Sequence, residues 1–169
     1  MIAYRDATAA DGAALATMAA ASFTATFGTL YQPHDLATFL GEAFGPAGLP
    51  AHAADPRYTI RVATDGAAII GFAKLGPVVF PGEWHPQAIE LHQLYVLDGW
   101  HGAGVGPALM DWTIDAARTM GKAEIILSVY VDNHRARRFY ERRGFAEIGR
   151  YTFMVGDKED DDRIMRLAL

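Results

Sequence analysis

The hydrophobic and polar positions change period several times along the chain, and each change marks an element. Ile2 to Arg5 alternates apolar with polar, the period of a half-exposed strand. Thr8 and Asp11 then form a helix-start signal before the alanine-rich stretch Ala9 to Phe23. Pro33 stands at a first helical position, with Leu36, Phe39, Leu40 and Phe44 at helical spacing until Gly45-Pro46 ends the run. Arg57 to Ala63 and Ala67 to Leu75 read as an antiparallel strand pair joined by Thr64-Asp65-Gly66, where Asp-Gly is the hairpin signal. Gly76 to Gln87 carries three prolines and two glycines and reads as a loop. An apolar run, Ile89 to Leu97, is the central strand, and the helix Gly104 to Met120 follows, with Leu109, Met110, Thr113, Ile114 and Ala117 spaced to face a sheet. Glu124 to Val131 is a further strand, and Asp132 caps a helix over Asn133 to Arg143 that Gly144 stops. Ala146 to Val155 and Arg163 to Leu169 pair across an acidic turn, Asp157 to Asp162. The order β-α-α-β-β-β-α-β-α-β-β predicts a mixed α/β (α+β) fold, and 169 residues suit one domain over 1–169.

Between the central strand and its helix lies the most informative stretch, Leu94 to Met110. His101, Gly102, Ala103, Gly104, Val105, Gly106 and Pro107 form a glycine-rich loop running into a helix N-terminus. Glycines let successive backbone N–H groups converge on one point, and the helix start adds unpaired donors and the positive end of its dipole. The loop therefore reads as a pyrophosphate cradle. It is not a Walker loop, because Pro107 stands where the lysine belongs. The dinucleotide fingerprint fails as well, since the third glycine comes one residue early.

Composition narrows the chemistry. The absence of cysteine excludes disulfides, thiolate metal sites and a covalent cysteine intermediate, and no metal site is expected. A net charge of −5 gives no global field for nucleic acid. No apolar run approaches about 18 residues and no signal peptide is evident, so a cytoplasmic protein without membrane contact is expected. The charge is uneven: arginines 135, 137, 138, 142 and 143 cluster in one segment and the acids of 157–162 in another, as would suit a polyanionic cofactor and a cationic acceptor.

The loop from His101 to Gly106 resembles the acyl-CoA loop [Q/R]-x-x-G-x-[G/A] of the GNAT superfamily of N-acetyltransferases, with His101 in place of Gln or Arg. Ser128 to Phe145 resembles the superfamily's second block, N-x-x-A-x-x-x-Y-x-x-x-G-F, at Asn133, Ala136, Tyr140, Gly144 and Phe145. The resemblance covers the whole chain and implies direct transfer from acetyl-CoA to an amine, with a central strand that splays from its neighbour near Leu94 to Val96. It implies that the backbone of Leu94, Tyr95 and Val96 binds pantetheine and the thioester oxygen, that Asn133 binds the pantetheine arm or reacting region, and that Tyr140 protonates the departing thiolate. In the implied fold Arg135, Arg137 or Arg138 reaches the phosphates, and His101 offers a replacement for the missing Gln/Arg contact.

An alkylammonium has a pKa of about 10.4, so a base must take its proton at neutral pH. Glu90 and His92, two apart on the central strand, share a face and are the candidates, with Gln93 and Tyr95 on the other unless a bulge intervenes. Phe27 and Tyr31 either pack in the core or line an acceptor cleft, and Trp84, on the loop, is a rim residue or a substrate contact. The phrases FGTLYQPHDLATFL, ELHQLYV, FYERRGF and FMVGDKEDDDRIM resemble PaiA-type spermidine/spermine acetyltransferases, implying a polyamine-like acceptor. A protein N-terminus or lysine, an amino acid or antibiotic, and a non-enzymatic acyl-CoA-binding regulatory module are the competing readings. Edge strands at the C-terminus suit a homodimer.

Overall fold

A computed structural model describes all of residues 1–169. Seven strands form one mixed sheet: β1 (Ile2–Asp6), β2 (Thr59–Asp65), β3 (Ala68–Gly76), β4 (Ala88–Val96), β5 (Glu124–Tyr130), β6 (Ala146–Val155) and β7 (Lys158–Ala168), in the spatial order β1-β2-β3-β4-β5-β7-β6. All neighbours are antiparallel except β4 and β5, which run parallel. The helices α1 (Gly12–Phe27), α2 (Pro33–Phe44) and α3 (Leu49–Ala54) cover one face, and α4 (Val105–Thr119) and α5 (His134–Arg142) the other. Side chains alternate into two cores, so that Phe72 of β3 packs with Leu15, Phe23, Phe39 and Leu49, while Ala73 beside it packs with Leu109, Met110, Ile125 and Leu127.

The middle of the sheet opens. Between β3 and β4 the register slips: Leu75 pairs with Leu91 and Lys74 with Gln93, leaving His92 as an extra residue in a bulge. A bulge bends its strand and increases the local twist, and β4 pairs with β5 only from Ala88 to Glu90 before the strands part. The splay thus begins at Leu91, a few residues earlier than expected. The bulge also resets the side-chain alternation. Gln93 and Tyr95 come round to the face of Glu90, and Tyr95 packs against Phe72 and Phe44 in the core under α1 to α3.

Four sequence expectations change here. The short helix α3, LPAHAA, was not expected, because six residues carry too little periodicity to read. The acidic segment is no turn: only Gly156 and Asp157 turn, with Gly156 at φ +57°, and the acids from Glu159 onward lie in β7. Asn133, not Asp132, is the cap of α5, its Oδ1 accepting from the Ala136 N–H at 3.3 Å. Ala9–Leu30 forms a continuous helical stretch of 22 residues containing an 18-residue window of mean hydropathy 1.3, long and apolar enough by length and composition to cross a membrane. In this fold its Leu15, Met18, Ala19 and Phe23 pack on the sheet.

Candidate active site

The divergence of β4 and β5 opens a cleft of about 820 Å³, lined by both strands, the glycine loop, the starts of α4 and α5, and the inner ends of α1 to α3. Gly71 lets α4 begin close to the sheet: a Cβ on it would stand 3.0 Å from both the Tyr95 oxygen and Val105 Cγ1, tight enough that β4 or the first turn of α4 would have to move back. In the loop Gly102 and Gly104 lie at φ +82° and +83°, and a Cβ on either would project into open space. The Ala103 N–H is taken by the Trp100 oxygen at 3.2 Å. Those of Gly102, Gly104, Val105 and Gly106 have no protein acceptor, and Pro107 has no N–H to offer. Four free donors at a helix start make a phosphate-sized anion site that a side chain on the loop would obstruct, which fits the pyrophosphate of an acyl-CoA.

His101 does not reach outward as a Gln or Arg would. Its Nε2 donates to the Val96 oxygen at 2.9 Å, which leaves Nδ1 to accept from Arg135 Nη1 at 3.0 Å, since arginine only donates. The ring therefore pins the end of β4 and holds Arg135 from α5 beside the glycine loop. Among the clustered arginines, Arg135 and Arg142 line the cleft. Arg137 is committed to the Val131 oxygen and Glu147, and Arg138 is exposed away from the cleft.

Ala136 and Tyr140, one helical turn apart, face the cleft from α5. The Tyr140 ring is wedged between Phe139 at 5.5 Å and Phe145 at 5.7 Å, and its hydroxyl has no protein partner. Burial pushes the phenol up to about 12, so it carries its proton at neutral pH.

On the facing wall Glu90 and His92 meet, with Oε1 3.3 Å from Nδ1. Glu90 Oε2 accepts from the Val79 N–H at 2.9 Å and His92 Nε2 donates to the Pro77 oxygen at 2.9 Å. Burial raises the Glu90 carboxyl to about 7 and lowers His92 to about 4. At neutral pH, then, the imidazole is uncharged and the carboxylate is poised to take up a proton. Lys74 and His52 line the same wall, although sequence reasoning passed over both. A lone lysine in the apolar run Ala68 to Leu75 was the available signal.

The far end of the cleft carries Phe27, Tyr31, Tyr130, Asp160 and Asp162. Asp160 and Asp162, at 4% and 6% exposure, point inward on β7, while Glu159 and Asp161 point out. The Tyr31 hydroxyl donates to Asp160, which Lys158 also meets at 2.7 Å. No lysine or arginine pairs with Asp162, whose carboxyl burial raises to about 7. Trp84 lies outside the cleft: its Nε1 donates to the Phe80 oxygen at 2.9 Å and its ring packs in a small core with Phe80, Ile126 and Ile164. Phe80 lines the cleft instead. Elsewhere, His34, Asp35 and Asp157 bring ligand atoms within 4.8 Å of one another, but Asp35 Oδ1 already accepts from the Asp157 N–H and latches the β6–β7 turn to α2.

The chain is similar to several known proteins. An uncharacterized N-acetyltransferase of Mycobacterium tuberculosis is 32% identical over 155 residues, covering 92% of this chain and 96% of that protein. An L-methionine sulfoximine/L-methionine sulfone acetyltransferase of Pseudomonas aeruginosa is 30% identical over 106 residues, 60% of this chain and 58% of that one. The crystal structure of a PaiA N-acetyltransferase from Thermoplasma acidophilum, in complex with coenzyme A, shares the fold with a TM-score of 0.79 over 100% of this chain and 99% of that one, at 19% identity. A model of the Acetyltransferase (GNAT) family matches residues 16–145, and the chain belongs to that family of N-acetyltransferases, which draw their acetyl group from acetyl-CoA.

Proposed function

We propose that residues 1–169 form one N-acetyltransferase domain that moves an acetyl group directly from acetyl-CoA to a primary amine of a small, polyamine-like cation in the cytoplasm. The observation that carries this reading is the placement of Glu90 and Tyr140 in one cleft whose far end is acidic. Acetyl-CoA supplies an activated thioester. The free N–H groups of Gly102, Gly104, Val105 and Gly106 hold its pyrophosphate, with Arg135 beside them. The unpaired edge of β4 from Leu94 to Val96 offers backbone groups to the pantetheine amide and the thioester oxygen, and the side-chain amide of Asn133 faces the same arm. Glu90 takes a proton from the acceptor ammonium, with the uncharged His92 Nδ1 next to it. The Tyr140 hydroxyl gives a proton to the departing sulfur.

Asp162, buried and without a cationic partner, and Asp160 favour an acceptor with a second positive charge, while Phe27 and Tyr31 cover its hydrocarbon. The same acids disfavour an amino-acid acceptor, whose carboxylate they repel. Beyond the site, the free edge of β6, with Ile148 and Met154 exposed, is the surface we assign to a second copy in a homodimer.

An acetyl-CoA consumption screen over polyamines, amino acids, aminoglycosides and peptides tests the acceptor. The reading predicts turnover on di- and polyamines. Turnover confined to amino acids or to peptides overturns it.

A further inference from the structure

Lys74 is an unusual occupant of a sheet interior. It is 4% exposed, lies on β3 opposite Gln93, and stands between Ala73 and Leu75, both wholly buried. Burying an ammonium is costly unless its donors are met and a countercharge faces it. No carboxylate lies within ion-pair distance of it. Its hydrogen bond goes to His52 Nδ1 at 2.9 Å, and the Tyr58 ring lies 5.2 Å from Nζ. His52 is delivered by α3 and stacked on Tyr58 at 4.1 Å, and the Tyr58 ring in turn meets His92 at 5.6 Å. Lysine, two histidines and tyrosine thus form one packed layer behind Glu90.

The surroundings of Glu90 leave Lys74 as the cation that acts on it. On its own strand stands His92, uncharged, and the loop after β3 contributes the neutral Val79 N–H. Helix α1, packed across β4, has no ionisable residue, and Asp111, Asp115 and Arg118 of α4 face solvent. From β3 comes Lys74, with His52 of α3 behind it. Its charge pulls the Glu90 carboxyl down against the effect of burial and pushes His92 down as well.

We propose that Lys74, fixed by His52, is a positioning residue of the acetyl-transfer site, its ammonium being the buried charge that favours the carboxylate form of Glu90 when an acceptor arrives. The short helix α3 then has a task in the chemistry, since it places the histidine that holds the lysine in the wall. The proposal extends the reading of Glu90 as the base but does not need it, because the titration of Glu90 is observable without turnover.

The test is Lys74→Met, which keeps the length of the stem and removes the charge. In the 13C-labelled full chain, with Glu90 assigned from Glu90→Gln, the Glu90 carboxyl should titrate about one pH unit higher in Lys74→Met than in the parent. The His92 ring should titrate higher by a comparable amount. His52→Gln, which keeps the charge and loosens its anchor, should move both in the same direction by less. Should Lys74→Met fail to fold, His52→Gln carries the test alone. Unmoved Glu90 and His92 midpoints in a folded variant overturn the proposal. The acid limb of kcat/KM against pH separates this inference from the catalytic one. If the NMR midpoint moves and the limb does not, Glu90 is not the base, yet Lys74 still sets its charge. If the limb vanishes in Glu90→Gln and neither limb nor midpoint moves in Lys74→Met, Glu90 is the base and Lys74 has no part in it.

Discussion

Replacing Glu90 with glutamine should exchange activity for stability, by an amount that depends on pH. The carboxyl has an ordinary value of 4.5 and burial raises it to about 7, so the folded chain binds this proton more tightly than the unfolded chain. A group with a raised value stabilises the fold fully below its unfolded pKa, and that contribution drains away as pH rises through the folded one. Here the window runs from 4.5 to about 7. At 1.36 kcal/mol per pH unit, ionised Glu90 costs about 3 kcal/mol above pH 7. Glutamine has the same shape, and its amide oxygen can keep the Val79 N–H, so the variant sheds that cost. Part of the gain is returned, because Lys74 loses the longer-range attraction of the Glu90 charge in the same cleft wall. For a chain of this size 1 kcal/mol moves Tm by roughly 2–4 °C, so Glu90→Gln should melt roughly 3–10 °C above the parent at pH 8. At pH 4.5 the two should melt together. Thermal denaturation at both pH values, with acetyl transfer followed at pH 8, checks this. An unchanged or lower Tm at pH 8, or a gain equally large at pH 4.5, refutes the account of Glu90 as a buried, strained carboxylate.

Other outcomes follow from the same geometry. Gly104→Val puts a β-branched residue at φ +83° and a side chain into the cradle, so calorimetry should show CoA binding lost or weakened by more than tenfold, and parental affinity would remove the loop from the site. Arg135→Ala should weaken CoA binding several-fold at low salt and by less at high salt, with a smaller effect on 3′-dephospho-CoA if the guanidinium serves the 3′-phosphate. Asp162→Asn should raise KM for a diamine more than for a monoamine of equal length. It should also raise Tm at pH 8 but not near pH 4, because burial lifts this carboxyl from 3.8 to about 7. Activity in the parent should climb with pH through about 7 as Glu90 ionises.

The long elements were legible because their periodicity is strong. Leu36, Phe39, Leu40 and Phe44 mark α2, and Asp65-Gly66 marks the β2–β3 turn within two residues. The glycine loop was legible too, since strand, glycines and helix start follow one another without interruption. What was missed depends on contacts between distant segments or on a single inserted residue. Nothing in ELHQLYV announces that His92 is a bulge, and that one residue decides that Gln93 and Tyr95 join Glu90 on the same face. Trp84 and Phe80 sit four apart in an irregular loop and share a small core, and only the path of the loop lets the phenylalanine line the cleft while the tryptophan stays outside it. The acidic segment was misread through composition. A run rich in aspartate suggests a solvated turn, and three consecutive aspartates give no sign that Asp160 and Asp162 turn inward on β7 while Asp161 turns out.

The central claim, direct transfer to an amine with Tyr140 as proton donor, is tested most directly by single-turnover acetyl transfer with Tyr140→Phe. The substitution keeps the ring between Phe139 and Phe145 and deletes one hydroxyl, so fold and CoA affinity should hold. A thiolate leaving group has a conjugate acid of pKa about 8.5, and the phenol must supply its proton from close range. The account predicts a loss of roughly 10²-fold or more on acetyl-CoA, shrinking with an acyl donor whose leaving group is already acidic. Parental turnover on acetyl-CoA would contradict it, leaving Tyr140 as a packing residue and protonation to water.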